Sequence, residues 1–106
     1  MKKLQDEILV TGIISKTLIE KWNSIINTLS KYNVIDTIEI TPVQAEVYKF
    51  DMEGLFKELN IPIEFIYAHI RVNGYLTSND YDGYKLKIDL LDTNVLKTYY
   101  DMFNAN

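Results

Sequence analysis

The sequence has no cysteine, a single arginine and no long apolar run. Without cysteine, the chain has no disulfide, no thiolate nucleophile and no cysteine-ligated zinc. No stretch approaches the ~20 apolar residues of a transmembrane helix, so we expect no membrane contact. Residues 8–14 are apolar, but Thr11 and Gly12 interrupt them and the acidic residues Asp6 and Glu7 precede them. Because an export signal has a longer apolar stretch and no acidic flank, we expect a cytoplasmic protein.

Basic residues are outnumbered by acidic ones. The chain has 11 Lys and Arg against 15 Asp and Glu, which gives a formal charge of −4 and a pI of about 4.9. This balance argues against affinity that comes from neutralising phosphates, so we expect no direct nucleic-acid binding. The four glycines are scattered and form no phosphate-binding loop, and we expect no cofactor.

The remaining composition is that of a globular domain. Hydrophobic residues make up 47% of the chain and charged residues 25%, which is close to average. A chain of 106 residues is expected to form one domain, residues 1–106, with a core that needs no metal or disulfide. Ile, Lys, Asn and Tyr are abundant, and Gly, Ala, Arg and Pro are scarce. This bias suggests the AT-rich genome of a low-GC bacterium or its phage.

Helical periodicity is clearest in two segments. Residues 18–32 place apolar side chains three or four positions apart, behind a Thr17–Glu20 capping pair, which predicts an amphipathic helix. Residues 94–103 show the same periodicity and predict a last helix, capped by Asp92 or Thr93.

Strands are predicted where apolar residues alternate with polar ones or where β-branched residues dominate. Four segments qualify: residues 7–14, 34–41, 63–72 and 84–90. The polar segment 73–83 is rich in turn-forming residues, so we expect strand 84–90 to pair back on 63–72.

Residues 41–60 have two interpretations. Alternation over 45–50 favours a strand, followed by a helix over 52–60 that Asp51 caps. The other is one helix over 42–59, since Thr41 and Gln44 have capping-box spacing around a proline. We prefer the strand and helix, because Gly54 would weaken a continuous helix by about 1 kcal/mol relative to Ala.

These elements predict an α+β fold with a mainly antiparallel sheet of four or five strands and two or three helices. The first six elements, β-α-β-β-α-β, match a ferredoxin-like core, to which a C-terminal strand and helix are added. A fold of this kind does not define a function.

The sequence contains no recognisable catalytic or metal site. His69 is the single histidine and has no partner at a catalytic spacing, so we interpret it as a partly buried or cross-strand residue. Residues 78–89 place Ser78, Asp80, Asp82 and Asp89 at EF-hand ligand positions, but the flanking segments are predicted strands. We therefore predict a solvated turn there and no bound metal.

Tyrosine and aspartate are concentrated in one loop, and this concentration is the basis of the functional prediction. The candidate partner-binding residues are Tyr75, Asp80, Tyr81, Asp82 and Tyr84. Tyrosines are enriched in protein interfaces, and neighbouring carboxylates favour a partner with a basic surface. The alternative is that these rings pack at the edge of the hairpin and that the acids are ordinary turn residues.

The sequence thus favours a small acidic protein–protein interaction module, such as an inhibitor or immunity-type protein of a phage or bacterium. One alternative is a structural subunit of a phage particle or a homo-oligomer. Another is a small-ligand-binding domain or enzyme, in which His69, Tyr67 and Arg71 would share one face of the predicted strand 63–72.

Overall fold

The computed structural model describes residues 16–104, and the predicted strand 7–14 lies outside this range. Within the range the chain forms five α-helices, a 3₁₀ turn and two strands. In chain order they are α1 (Lys16–Tyr32), β1 (Val34–Glu39), α2 (Pro42–Val47), α3 (Met52–Glu58), α4 (Ile63–Val72), the 3₁₀ turn (Ser78–Asp80), β2 (Lys87–Leu91) and α5 (Thr93–Phe103). None of these helices is both long and apolar enough to cross a membrane.

The predicted four- or five-stranded α+β fold is wrong. In residues 16–104, β1 and β2 form a two-stranded antiparallel sheet and the domain is mainly helical. The ferredoxin-like core is absent because segments 45–50 and 63–72, which were predicted strands, are not strands. Strand β2 pairs with β1, with Ile38 opposite Ile88, and not with residues 63–72. The predicted helices 18–32, 52–60 and 94–103 and the strand 34–41 are confirmed with small shifts of their ends.

Helix α4 was mistaken for a strand because it has no polar face. Six consecutive side chains are buried: Phe65, Ile66, Tyr67, Ala68, His69 and Ile70. A helix that is buried on most sides loses the 3.6-residue pattern, so a short apolar run cannot be told from a buried strand.

The segment after β1 follows neither interpretation completely. The capping box is formed, since the Gln44 N–H donates to Thr41 Oγ1 at 3.0 Å and the Thr41 N–H donates to Gln44 Oε1 at 2.9 Å. It starts helix α2, which makes the predicted strand 45–50 wrong. The backbone then turns at Phe50, with φ of 63°, so a continuous helix 42–59 is wrong too. Asp51 caps α3 as predicted, accepting from the Gly54 N–H at 3.0 Å.

Helix α4 separates two hydrophobic clusters and contributes to both. The first lies between α4, α1 and α5 and comprises Leu18, Trp22, Ile26, Leu29, Phe65, Tyr67, Ala68, Leu91 and Leu96. The second lies between α4, the sheet, α2 and α3 and comprises Ile40, Ala45, Met52, Leu55, Phe56, Ile66, Ile70, Tyr81 and Ile88. Because α4 supplies side chains to both clusters, its position fixes the rest of the domain.

His69 of α4 and Asn73, the C-cap residue of this helix, bind the edge of β2 that faces away from β1. The Leu91 N–H donates to His69 Nε2 at 3.0 Å, and the Asp89 N–H donates to Asn73 Oδ1 at 2.8 Å. Asn73 Nδ2 returns a bond to the Asp89 carbonyl at 3.0 Å. His69 and Asn73 are four residues apart, which is a rise of about 6 Å along a helix. Asp89 and Leu91 are two residues apart, which is about 6.6 Å along a strand, so the two spacings match. We call these three hydrogen bonds the α4–β2 link; they satisfy backbone groups that an edge strand otherwise leaves open.

The α4–β2 link predicts a large cost for removing Asn73. In Asn73→Ala the Asp89 N–H and carbonyl lose their partners in a partly buried position, so the free energy of unfolding should fall by about 2–3 kcal/mol. Urea denaturation followed by the fluorescence of the single tryptophan measures this. Asn79→Ala, at an exposed position, is the control and should change stability by less than about 0.5 kcal/mol. Equal effects of the two substitutions would contradict the link.

Candidate functional site

The structure divides the predicted partner-binding residues. All five lie in the connection between α4 and β2. Asp80, Asp82 and Tyr84 are exposed, with Tyr84 at 85% of its full accessibility. Tyr75 is half-buried and Tyr81 is fully buried. The structure therefore does not bring the five residues together on one surface.

Tyr81 is a core residue. Its hydroxyl donates to the Lys85 carbonyl at 2.7 Å, and its ring meets Tyr75 edge-to-face with 5.6 Å between ring centres. Burial is the main cause that raises the pKa of Tyr81, and the neighbouring Tyr75 and Asp82 raise it further, so the phenol stays protonated. Its assignment to an exposed surface is corrected, whereas partner binding by the exposed residues stays a prediction.

The connection between α4 and β2 is held against α2 and α3. The Phe50 N–H donates to the Tyr81 carbonyl at 2.8 Å, and the Glu53 N–H at the start of α3 donates to Ser78 Oγ at 2.8 Å. Gly83 has φ of +86°, a left-handed conformation that favours glycine. A Cβ there would lie 3.4 Å from the Ala45 carbonyl oxygen, so the backbone passes close to α2. Residues 78–84 therefore adjoin residues 45–53.

Large apolar side chains are exposed in both of these segments. In α2, Ala45 is buried, whereas Val43 and Val47, one helical turn apart, are exposed. Phe50 is 59% exposed and Tyr84 more so. We define the junction surface as Phe50, Asp82 and Tyr84, which are exposed next to the hydrogen bond between Phe50 and Tyr81.

Phe50 occupies a backbone conformation that does not suit it. Its φ is 63°, and Asn60 has nearly the same value, 66°, at the end of α3. Asparagine tolerates the left-handed region, whereas a bulky residue there is an outlier that costs on the order of 1–2 kcal/mol. The ring does not compensate by burial, since most of it faces solvent. Such strain occurs mainly at functional positions, which makes Phe50 the strongest candidate for a functional residue.

The charge around the junction surface is negative. Residues 41–51 and 80–85 contain four acidic residues and two lysines, namely Glu46, Asp51, Asp80 and Asp82, and Lys49 and Lys85. Lys49 places its ammonium 5.4 Å from the centre of the Phe50 ring. Asp82 also stabilises its turn, accepting from the Tyr84 N–H at 3.0 Å. Exposed aromatic side chains thus adjoin residues of net negative charge.

His69 is occupied by structural hydrogen bonds. A backbone N–H such as that of Leu91 can only donate, so Nε2 is the unprotonated ring nitrogen and Nδ1–H donates to the Phe65 carbonyl at 2.9 Å. Burial lowers the pKa of His69 to about 4, against a smaller opposite effect of the Phe65 bond. The ring is neutral and buried, and neither nitrogen is free for proton transfer.

The other proposed enzymatic residues do not join His69. Tyr67 and Arg71 both donate to Asn23 Oδ1 of α1, with the Tyr67 bond at 2.9 Å, so they tie two helices together. The expectation that the three side chains share a face is wrong, because it assumed a strand over 63–72. In residues 16–104, no three acidic or histidine side chains are placed to hold a metal ion.

The sequence contained one signal for the exposed apolar face of α2. Taken as the start of a helix, the Thr41–Gln44 capping box puts Val43 and Val47 on the same face, opposite Ala45. The exposure of Phe50 had no such signal, because it depends on the left-handed conformation of Phe50 between α2 and α3.

The shifted pKa of His69 predicts acid sensitivity. The unfolded chain has a histidine pKa near 6.5 and the folded chain about 4, so between these values the unfolded state binds the extra proton. The stabilisation that the neutral ring provides is fully present above pH 6.5. The free energy of unfolding then falls by roughly 3 kcal/mol as the pH approaches 4. NMR of this single histidine should show no titration of the folded protein above pH 5. Titration near pH 6.5 would refute the assignment of His69 as a buried neutral ring. The variant His69→Gln cannot titrate, so its free energy of unfolding should fall less than that of the wild type between pH 6.5 and 4.

The different burial of two tyrosines predicts different effects of substitution. Tyr81→Ala removes a buried ring and should lower the free energy of unfolding by about 3–5 kcal/mol. Tyr84→Ala, at an exposed site in the same loop, should change it by less than about 0.5 kcal/mol. Urea denaturation of both variants measures the difference. If Tyr81→Ala were as stable as Tyr84→Ala, the buried position of Tyr81 would be wrong.

Comparison with known proteins adds no functional assignment to this geometry. No family model, curated protein or solved structure matches the chain. The functional argument therefore rests on the junction surface and the residues that position it.

Proposed function

We propose that this protein is a small acidic binding module that docks through the junction surface onto a basic surface of a larger protein. The observation that carries the proposal is Phe50, an aromatic side chain that is exposed in a conformation its residue type disfavours. Acting in the cytoplasm, the module covers its partner's basic surface, as an inhibitor or immunity-type protein does.

The composition of the junction surface supports a protein partner. Binding energy in interfaces is concentrated in a few aromatic and aliphatic anchors surrounded by polar residues. Phe50 and Tyr84 are suitable anchors, because both rings are largely exposed. Tyrosine and phenylalanine also lose little side-chain entropy when a partner immobilises them.

The charge of the surrounding residues supports a basic partner. Asp80 and Asp82 are exposed beside the apolar residues and attract a cationic surface over a distance of about 10 Å at moderate salt. Such charges mainly raise the association rate, so binding should weaken as salt is added. Of the residues predicted from the sequence, Asp80, Asp82 and Tyr84 thus stay in the proposal, whereas the buried Tyr81 does not.

A reciprocal substitution tests whether Phe50 is retained for binding and not for folding. Phe50→Asn places a tolerated residue at φ of 63° and should leave stability unchanged or raise it by up to about 1 kcal/mol. Asn60→Phe is the matched control: it places a bulky side chain at φ of 66° and should lower stability by about 1 kcal/mol. Urea denaturation of both variants decides between the roles. A large loss of stability in Phe50→Asn would mean that the ring serves the fold.

Binding is tested by site-specific photo-cross-linking. A benzophenone side chain at position 50, with the same group at the exposed Thr98 of α5 as control, is irradiated in the cells of origin. The proposal expects one dominant protein adduct at position 50 that the control lacks and that Asp80→Asn with Asp82→Asn reduces. With the partner purified, Phe50→Asn should weaken binding by at least about 30-fold, equivalent to ~2 kcal/mol. An adduct between two copies of this chain, or equal adducts at both positions, would overturn the proposal.

A further inference from the structure

Asn73 and Gly74 form the one Asn–Gly pair in the sequence. In such a pair the backbone nitrogen of the glycine attacks the side-chain carbonyl carbon of the asparagine. A C–N bond forms, ammonia leaves, and a five-membered succinimide results. Water then opens the ring to aspartate or isoaspartate. Glycine favours this reaction because it has no side chain to hinder ring closure.

The folded protein holds both reacting groups in other interactions. The buried Asn73 amide bonds to Asp89 on both sides, and its Nδ2 also donates to the His69 carbonyl at 2.8 Å. The Gly74 N–H donates to the Arg71 carbonyl at 3.0 Å, with Gly74 at φ of +98°. Ring closure must turn the Asn73 side chain away from Asp89 and toward the Gly74 nitrogen. The reaction therefore requires the two hydrogen bonds of the α4–β2 link between Asn73 and Asp89 to break.

We propose that Asn73–Gly74 is a self-modification site, with water as its co-reactant, that reacts only in molecules in which the α4–β2 link has opened. The net reaction adds one water and releases one ammonia, so neither an enzyme nor an oxidant is needed. This inference is independent of the proposed binding function, because it depends on α4 and β2 and not on the junction surface.

The product cannot rebuild the hydrogen bonds that Asn73 Nδ2 donates, although an aspartate oxygen can still accept the Asp89 N–H. Aspartate at position 73 has no N–H to donate to the carbonyls of His69 and Asp89, and at neutral pH it places a carboxylate against both oxygens. Isoaspartate also lengthens the backbone at the end of α4. Opening followed by deamidation is thus a one-way step, and the modified fraction records how often the link has opened.

Peptide mass spectrometry during incubation at mildly alkaline pH tests the proposal. The readout is the mass change from amide to acid in the peptide that contains residues 73 and 74. Folded protein should react at least about 30-fold more slowly than protein in concentrated urea, the factor that corresponds to two hydrogen bonds of about 1 kcal/mol each. Asn79, which is exposed and followed by Asp80, is the internal reference and should show a much smaller difference.

Two further measurements relate the rate to the link. His69→Ala removes the remaining hydrogen bond of the link, which the Leu91 N–H donates to His69. It should speed deamidation of the folded protein and leave the rate in urea unchanged. If this variant does not fold, as judged by Trp22 fluorescence, urea is added to the wild-type protein below its unfolding midpoint, where the rate should rise with urea. Equal rates in folded and unfolded protein, or no reaction at Asn73 in urea, would overturn the proposal. So would a rate that neither His69→Ala nor subdenaturing urea increases.

Discussion

The hydrogen bonds between α4 and β2 are the constraint on which the rest of this domain depends. A two-stranded sheet alone is marginal in water. Here His69 and Asn73, one helical turn apart, take the place of a third strand along β2. Because α4 also contributes to both hydrophobic clusters, the same helix fixes the sheet and joins the two halves of the core. The neutral state of His69 follows from this role, since a protonated ring could not accept the Leu91 N–H.

The same constraint positions the candidate functional site. The chain leaves α4 at Asn73 and returns to the sheet at β2, so both ends of the intervening segment are anchored at the α4–β2 link. Tyr81 then attaches the middle of the segment to the core and bonds to Phe50. As a result, Gly83, between Asp82 and Tyr84, passes close to Ala45 of α2 and next to Phe50. The junction surface is thus assembled from two segments about 35 residues apart in the sequence.

The amphipathic helices could be predicted from sequence because each has one polar and one apolar face. Leu18, Trp22, Ile26 and Leu29 are buried in α1 as their spacing indicates. Helix α4 could not be recognised, because burial on most sides removes that periodicity. The site was predicted in part: Tyr84 and Asp82 are exposed, but the burial of Tyr81 depends on tertiary contacts with α2 and α3. The left-handed turn at Phe50 likewise has no signature in a sequence that places phenylalanine there.

Native-state hydrogen exchange measures the α4–β2 link most directly. The amides of Asp89 and Leu91 lie on the side of β2 that no strand within residues 16–104 covers, yet their partners are the buried side chains of His69 in α4 and of Asn73 at its C-cap. We predict that both amides exchange only through opening as costly as global unfolding. The Thr37 amide, which bonds to the exposed Asp36 carboxylate, should exchange much faster. Exchange of Asp89 and Leu91 as fast as that of Thr37 would contradict the account.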